Sequence, residues 1–330
     1  MSIGAHESFV LFVYIITFLT GLPSNILALY TFSLKVRRNP APIDILLLNL
    51  TVSDLIFLIF LPFRMYEATN NMEWKLPYFL CPLSGFIFYS TIYISTFVLT
   101  AVSVERYLGV AYPIKYKVNR KPIYAVVASV FFWVVSTAHC SIVYIIHSKT
   151  PQNYDSNRSV LLCYENFTED QLKILLPVRL ELCLVLFCIP FLICTFCYIN
   201  FIRILSNLPN ISRRRRLRAI GLALGTLVVF MLCFGPYNVS HVVGFVKGRS
   251  PEWRVDALLL STFNACLDPI IFYFSSSAVQ KTFTQCFSRT FTKLRLCSFC
   301  NPLCPLSCST TEDSEGSSNV PQKPETTTYH

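Results

Sequence analysis

Arg179 and Glu181 stand at the mouth of a long apolar run, in the stretch LPVRLELCLVLF over 176–187. A charge near the bilayer centre costs at least about 2.5–3.5 kcal/mol, so a guanidinium there has two readings. It snorkels to the headgroups with its stem along apolar surface, or it faces a cavity and a compensating charge. A second guanidinium, Arg254, lies just inside the last apolar run, at matching depth. Phe234, Tyr237 and His241 are spaced i, i+3, i+7 and share one helix face, with Tyr and His as donors above an apolar Phe floor. Two guanidinium forks suit a carboxylate, because a planar fork matches two oxygens bidentately. The bulk of Tyr, His and Phe below the arginines favours a small acid over a long acyl chain. His139 and Tyr93 lie in apolar runs at depths that let them join this set. A hydrogen-bonded core histidine is the plainer reading of His139.

These side chains can meet only if apolar helices carry them. The chain has 330 residues, 53% of them hydrophobic and 14% charged. That is too apolar for a soluble domain and suits a multi-span membrane protein. Seven runs are long enough to cross a bilayer, at about 9–34, 43–63, 83–111, 123–146, 174–205, 217–246 and 255–274. The predicted fold is all-α: an extracellular N-terminus over 1–8, seven transmembrane helices over 9–275, an amphipathic membrane-surface helix over 276–296 and a partly disordered cytosolic tail over 297–330. The first run lacks the basic region of a signal peptide, since no Lys or Arg precedes Lys35. Basic loops follow the odd-numbered runs, at Lys35 to Arg38, Lys115 to Lys121 and Arg203 to Arg218. With Arg106 and the tail, 19 of the 28 basic residues fall on that side. The positive-inside rule makes it cytosolic, with the N-terminus outside.

Placement also decides what the net charge of +10 is for. It faces anionic lipid and cytosolic partners, not nucleic acid. Seven spans without an internal repeat argue against an inverted-repeat transporter. Five His without an H-E-x-x-H pattern argue against a membrane metalloenzyme. No lysine occurs in the last run, which excludes a retinal Schiff base. Asn157 and Asn166 lie in the outer loop between runs four and five and are expected to carry glycans. Asn49, Asn210 and Asn238 match the same pattern in spans or on the cytosolic side, and are expected to stay unmodified.

Several further motifs fall in order along the runs: GLPSN ending at Asn25, LTVSDL with Asp54, SVERYLGVAYP with Glu105, Arg106 and Tyr107, Trp133, Pro190, Tyr198, CFGPYN with Pro236, and DPIIFYF. Together they resemble the rhodopsin-like (class A) G protein-coupled receptors over about residues 8–290. CYENFT, LPVRLELCLVLF and CFGPYNVSH narrow the resemblance to free fatty acid receptors of the short-chain type. Two departures stand out. Phe234 replaces the usual tryptophan before the sixth-span proline, and Asp268-Pro269-Ile270-Ile271-Phe272 replaces the usual Asn-Pro-x-x-Tyr, with Tyr273 one place late.

The resemblance implies a receptor, not an enzyme. Acetate, propionate or butyrate would act at Arg179, Arg254 and His241, with Tyr93, His139, Glu165 and Tyr237 around them. It implies coupling to heterotrimeric G proteins (Gi/o or Gq) at a switch of Glu105, Arg106, Tyr107 and Tyr198, and contact with arrestin and receptor kinase. It implies a mid-membrane polar cluster of Asp54, Ser95, Asn264 and Asp268, in which sodium or a shared proton relieves the paired carboxylates. No other cofactor is expected. Cys81 and Cys163 are the two cysteines assigned to outer loops or span mouths, in an oxidising compartment. A bridge between them would hold Glu165 over the pocket, where it could offset the excess charge of two arginines. Cys297, Cys300, Cys304 and Cys308 read as juxtamembrane palmitoylation sites, with four-cysteine metal binding as the competing reading. The other functions open at this stage are a receptor for another small carboxylate and a proton-coupled monocarboxylate carrier.

Overall fold

The computed structural model describes residues 4–119, 121–148, 163, 167–209, 211–275, and 280, 282, 284 and 285. Among the described residues, six helices are long and apolar enough to cross a membrane: Ala5–Arg38, Pro42–Thr69, Leu80–Ala111, Pro122–Ser148, Glu169–Asn207 and Arg213–Lys247. They form spans one to six. The seventh run folds as two consecutive helices, Arg254–Thr262 and Asn264–Ser275, meeting at Phe263. At about 1.5 Å per residue neither piece alone would cross the ~30 Å hydrocarbon core. A two-turn helix, Pro113–Asn119, joins spans three and four.

Local chemistry sets the ends. Pro42 and Pro122 stand in the first turn of spans two and four, where a missing N–H leaves nothing unsatisfied. Span five opens with a capping box: Thr168 accepts from the Gln171 backbone N–H, and the Gln171 side chain accepts from that of Thr168. Gly248 closes span six at φ 66°, a left-handed conformation that glycine adopts without Cβ strain.

The bundle inverts the soluble pattern. Phe9, Leu19, Ile59, Leu192, Leu232 and Val246 face outward, and polar groups turn inward. Span three is the centre, with 78% of its apolar window buried against 28% in span six. Asn25 donates from Nδ2 to the carbonyls of Gly21 (3.0 Å) and Ala265 (2.7 Å), tying span one to span seven. Thr100 donates to the carbonyl of Pro190 at 3.2 Å, tying span three to span five. Each of the two prolines follows a widened, π-helical stretch, Leu182–Cys188 in span five and Phe230–Phe234 in span six. A ring with no N–H cannot complete the regular ladder, and a wider turn absorbs the mismatch.

Of the predicted surface helix, residues 280, 282, 284 and 285 are helical. Asn157, Glu165, Asn166 and the four tail cysteines from Cys297 to Cys308 lie outside the described residues. The sulfur bridge expected between Cys81 and Cys163 is present, packed with Trp74 against Phe63 and Leu80. It marks one end of the bundle; Arg106 marks the other.

Candidate ligand site

At the disulfide end, Arg179, Arg254, His241, Tyr237 and Tyr93 come from spans five, seven, six and three and are all buried. Arg179 is 4% exposed, Arg254 5% and His241 1%. Both guanidiniums lie within electrostatic reach of the His241 ring. Arg179 donates from Nη1 to the Ser250 hydroxyl at 2.8 Å, and its guanidinium carbon lies 5.0 Å from the Phe167 ring. Arg254 donates from Nη2 to the Tyr89 hydroxyl at 3.1 Å, and sits 6.0 Å from the rings of Tyr89 and Tyr237. Those two tyrosines stack, with centroids 6.0 Å apart and planes 5° apart.

The shared face expected on span six is present. Tyr237 and His241 meet edge-on at 4.4 Å, and Phe234 is fully buried beneath them. His241 Nε2 lies 3.4 Å from the Tyr93 hydroxyl, while its Nδ1 is buried with no hydrogen-bond partner among the described residues. Two cations, an imidazole and three phenols therefore converge in a water-poor place. Aromatic faces stabilise guanidinium through their quadrupoles without cancelling its charge. The chemistry suited to such a set is recognition of a small anion.

His139 does not join this group. Its Nε2 lies 3.0 Å from Glu181 Oε1 across spans four and five, at 33% and 44% side-chain exposure, and its Nδ1 faces the Val135 carbonyl at 2.8 Å. The sequence reading also passed over Tyr89, Ser250 and Phe167. It missed a further buried pair: Arg64 donates from Nη1 to Glu67 Oε2 at 2.8 Å, beneath Trp74 at 5.9 Å. The Cys163 backbone N–H also reaches the Glu67 carboxylate. The i, i+3 spacing of Arg64 and Glu67 was the available signal.

Midway down the bundle, Asp54, Ser95, Asn264 and Asp268 are buried together. Asn264 donates from Nδ2 to Asp268 Oδ2 at 2.9 Å, and the Asp54 and Asp268 carboxylates interact electrostatically. A cavity of about 20 Å³ is lined by Asp54, Ser95, Ser261 and Asn264 with Phe57, Phe88 and Phe234. A water-sized species needs at least about 10–15 Å³, so the space and the oxygen donors fit one small cation.

At the far end, Arg106 donates from Nη1 to the Tyr198 hydroxyl at 3.2 Å. Glu105, next to it in the chain, accepts from the Tyr116 hydroxyl through Oε2 at 2.5 Å. Adjacent helical residues do not share a face, which directs the two side chains to different neighbours. Tyr107 packs edge-on against Phe196 at 6.0 Å.

Comparison with known proteins adds the context. The family model described as 7 transmembrane receptor (rhodopsin family) matches residues 24–272. The chain is 52% identical to "Free fatty acid receptor 3" of Mus musculus over 285 residues, 86% of this chain and 88% of that one. It is also 52% identical to "Free fatty acid receptor 2" of Mus musculus, over 84% of each chain. "Free fatty acid receptor 1" of Macaca fascicularis is 31% identical over 82% of this chain and 92% of its own. Identity is equal for the two Mus musculus receptors and does not choose between them.

Proposed function

The chain belongs to the rhodopsin family of seven-transmembrane receptors and, within it, to the free fatty acid receptors, and from that premise we propose that it is a receptor for short-chain carboxylates. Acetate, propionate and butyrate are the ligand class, and heterotrimeric G proteins of the Gi/o or Gq type carry the signal. The observation that carries this reading is the pair of arginines at 4% and 5% exposure at the same end of the bundle as a buried histidine. A carboxylate entering between them would accept hydrogen bonds from both guanidinium forks. The buried bulk of Tyr93, Tyr237 and Phe234 at this end supports a small acid over a long acyl chain.

In this reading the disulfide end faces outward, with the N-terminus outside and the C-terminus in the cytosol. Glu165 hangs from Cys163 over the site, and glycans sit on Asn157 and Asn166. Arg106 with Tyr198 engages the G protein, and arrestin and receptor kinase act at the same face. Binding biases an existing two-state equilibrium through differential affinity, with the loosened turns ahead of Pro190 and Pro236 as the flexible points. Sodium, if held at Asp54, would be liganded by the Asp54 carboxylate with Ser95 and Asn264 oxygens, and would supply the positive charge that two buried carboxylates need.

The test is a series of acids from two to twelve carbons applied to cells expressing the chain, read by nucleotide exchange on the G protein, alongside uptake of labelled propionate. The expected result is exchange driven best by the shortest acids, without concentrative uptake. Uptake against a gradient with no exchange would overturn the receptor reading in favour of a carrier.

A further inference from the structure

A groove of about 800 Å³ lies between spans six and seven at the opposite end from the arginine cluster. Leu222 and Val229 form one wall, and Leu267 and Ile270 the other. Its mouth is polar, with Arg214, Arg218 and Gln280. The floor on the span-six side is made by what is missing: Gly221 and Gly225 line the groove, and a Cβ built at either would meet no atom of the described residues within 4 Å. Among the described residues nothing packed against them calls for a glycine, and glycine is a poor helix former in a helix interior. The two glycines leave the groove open where side chains would fill it.

Orientation and charge identify the occupant. Gly221, Gly225, Val228 and Leu232 are exposed at i, i+4, i+7, i+11, while Ala223, Thr226 and Phe230 face the core. The groove therefore opens on the outward, apolar side of the bundle. Arg214 and Arg218 are four apart, on one helical face above it. They lie in the first two turns of a helix beginning at Arg213, where backbone N–H groups and the helix dipole also favour anions. An apolar slot with a doubly cationic mouth complements an amphiphile with an acyl chain and an anionic head.

We propose that this groove is a binding site for one acidic phospholipid of the cytosolic leaflet, its acyl chain over Gly221 and Gly225 and its headgroup held by Arg214 and Arg218. The proposal uses the membrane orientation given above and is independent of the carboxylate site. Arg213 and Arg215 carry the same charge outside the groove lining, so they separate a built site from diffuse basic attraction.

Native mass spectrometry of the full purified chain, titrated in detergent with dioleoyl phosphatidylserine or dioleoyl phosphatidylcholine, reads the one-lipid adduct. Four forms are compared: wild type, Gly221→Leu/Gly225→Leu, Arg214→Gln/Arg218→Gln and Arg213→Gln/Arg215→Gln. Thermal unfolding of each checks the fold. The expected result is a phosphatidylserine adduct in wild type and in the Arg213/Arg215 form, reduced about 30-fold in the Arg214/Arg218 form, as two basic residues at an anionic surface imply, and at least about fivefold in the leucine form. Equal loss in both charge pairs overturns the site in favour of diffuse attraction. Equal retention of phosphatidylcholine overturns the headgroup assignment. An unchanged adduct in the leucine form overturns the groove. If the leucine form holds phosphatidylserine normally but no longer binds purified G-protein heterotrimer, the occupant is the G protein and the lipid proposal fails.

Discussion

Among the described residues, two buried clusters in this bundle gather charge of one sign each. Near the disulfide, Arg179 and Arg254 share an enclosure with His241. At mid-depth, Asp54 and Asp268 share another. Like charges close together in a low dielectric oppose one another, and the two clusters ease this differently. The arginines rest on rings and hydroxyls: Tyr89, Tyr237, Phe167 and Ser250. The acids have an amide partner in Asn264 and a cavity of about 20 Å³ walled by phenylalanines. Size and position differ accordingly. The acidic cluster has room for a single small ion, whereas the basic cluster lies at the disulfide end of the bundle. The same electrostatic problem thus meets hydroxyls and aromatic faces at one depth and an ion-sized cavity at another.

The largest effect on propionate is expected from the basic cluster. Truncating one partner of a buried, hydrogen-bonded charge pair costs roughly 2–5 kcal/mol. At about 1.4 kcal/mol per tenfold, Arg179→Ala should weaken propionate potency by at least ~25-fold at matched surface expression. Arg254→Ala should act alike. Arg179→Lys should recover only part, because a point charge lacks the bidentate fork. Wild-type potency in both the alanine and lysine forms of Arg179 would show that this arginine serves the bilayer, and the comparison between clusters would lose one side.

A smaller effect should come from the acidic cluster. If a cation at Asp54 is coupled to the ligand end, exchanging sodium for choline should change propionate affinity by about fivefold or more, the lower range of allosteric coupling energies. Asp54→Asn should remove that dependence while leaving the anion site assembled. A sodium effect of equal size in Asp54→Asn would place the cation elsewhere.

How much of this was legible in the chain can be judged residue by residue. The seven apolar runs, the Cys81–Cys163 bridge and the common face of Tyr237 and His241 were readable, because length, compartment and helical spacing fix them. The last of these holds because the spacing starts where the widened turn of span six ends, at Phe234. Tyr89 was not readable as an arginine partner. Span three is apolar and buried nearly all round, so periodicity does not say which neighbour each side chain meets. Ser250 sits in a loop, and loop contacts carry no period. His139 was placed at the right depth but not the right direction. A helix turns about 100° per residue, so depth alone does not choose between the pocket and Glu181.

His139 also sharpens the edge of the basic cluster. Its pairing with Glu181 is a third to a half exposed, and such pairs are worth about 0.2–1 kcal/mol. A double-mutant cycle of His139→Ala and Glu181→Ala on propionate affinity should therefore show a coupling of at most about fivefold. A coupling as large as the Arg179 effect would enlarge the site to include this pair.

The smallest effect on affinity should come from Arg106, a cation outside both clusters. It belongs to the end of span three away from Tyr89 and Tyr93, and its guanidinium donates to Tyr198 rather than to anything near the ligand end. Removing it withdraws no hydrogen bond from the carboxylate and leaves no unpaired charge there. Arg106→Ala should therefore keep the propionate affinity of the purified receptor close to wild type. Nucleotide exchange on the G protein should fall at equal receptor density, because the Tyr198 contact that positions this end of the bundle is lost. The two readouts must separate for the assignment to hold. If exchange persists, Arg106 is only a structural cation at the membrane surface. If affinity falls as far as in Arg179→Ala, the two ends are coupled strongly enough that burial at the disulfide end alone cannot explain ligand recognition.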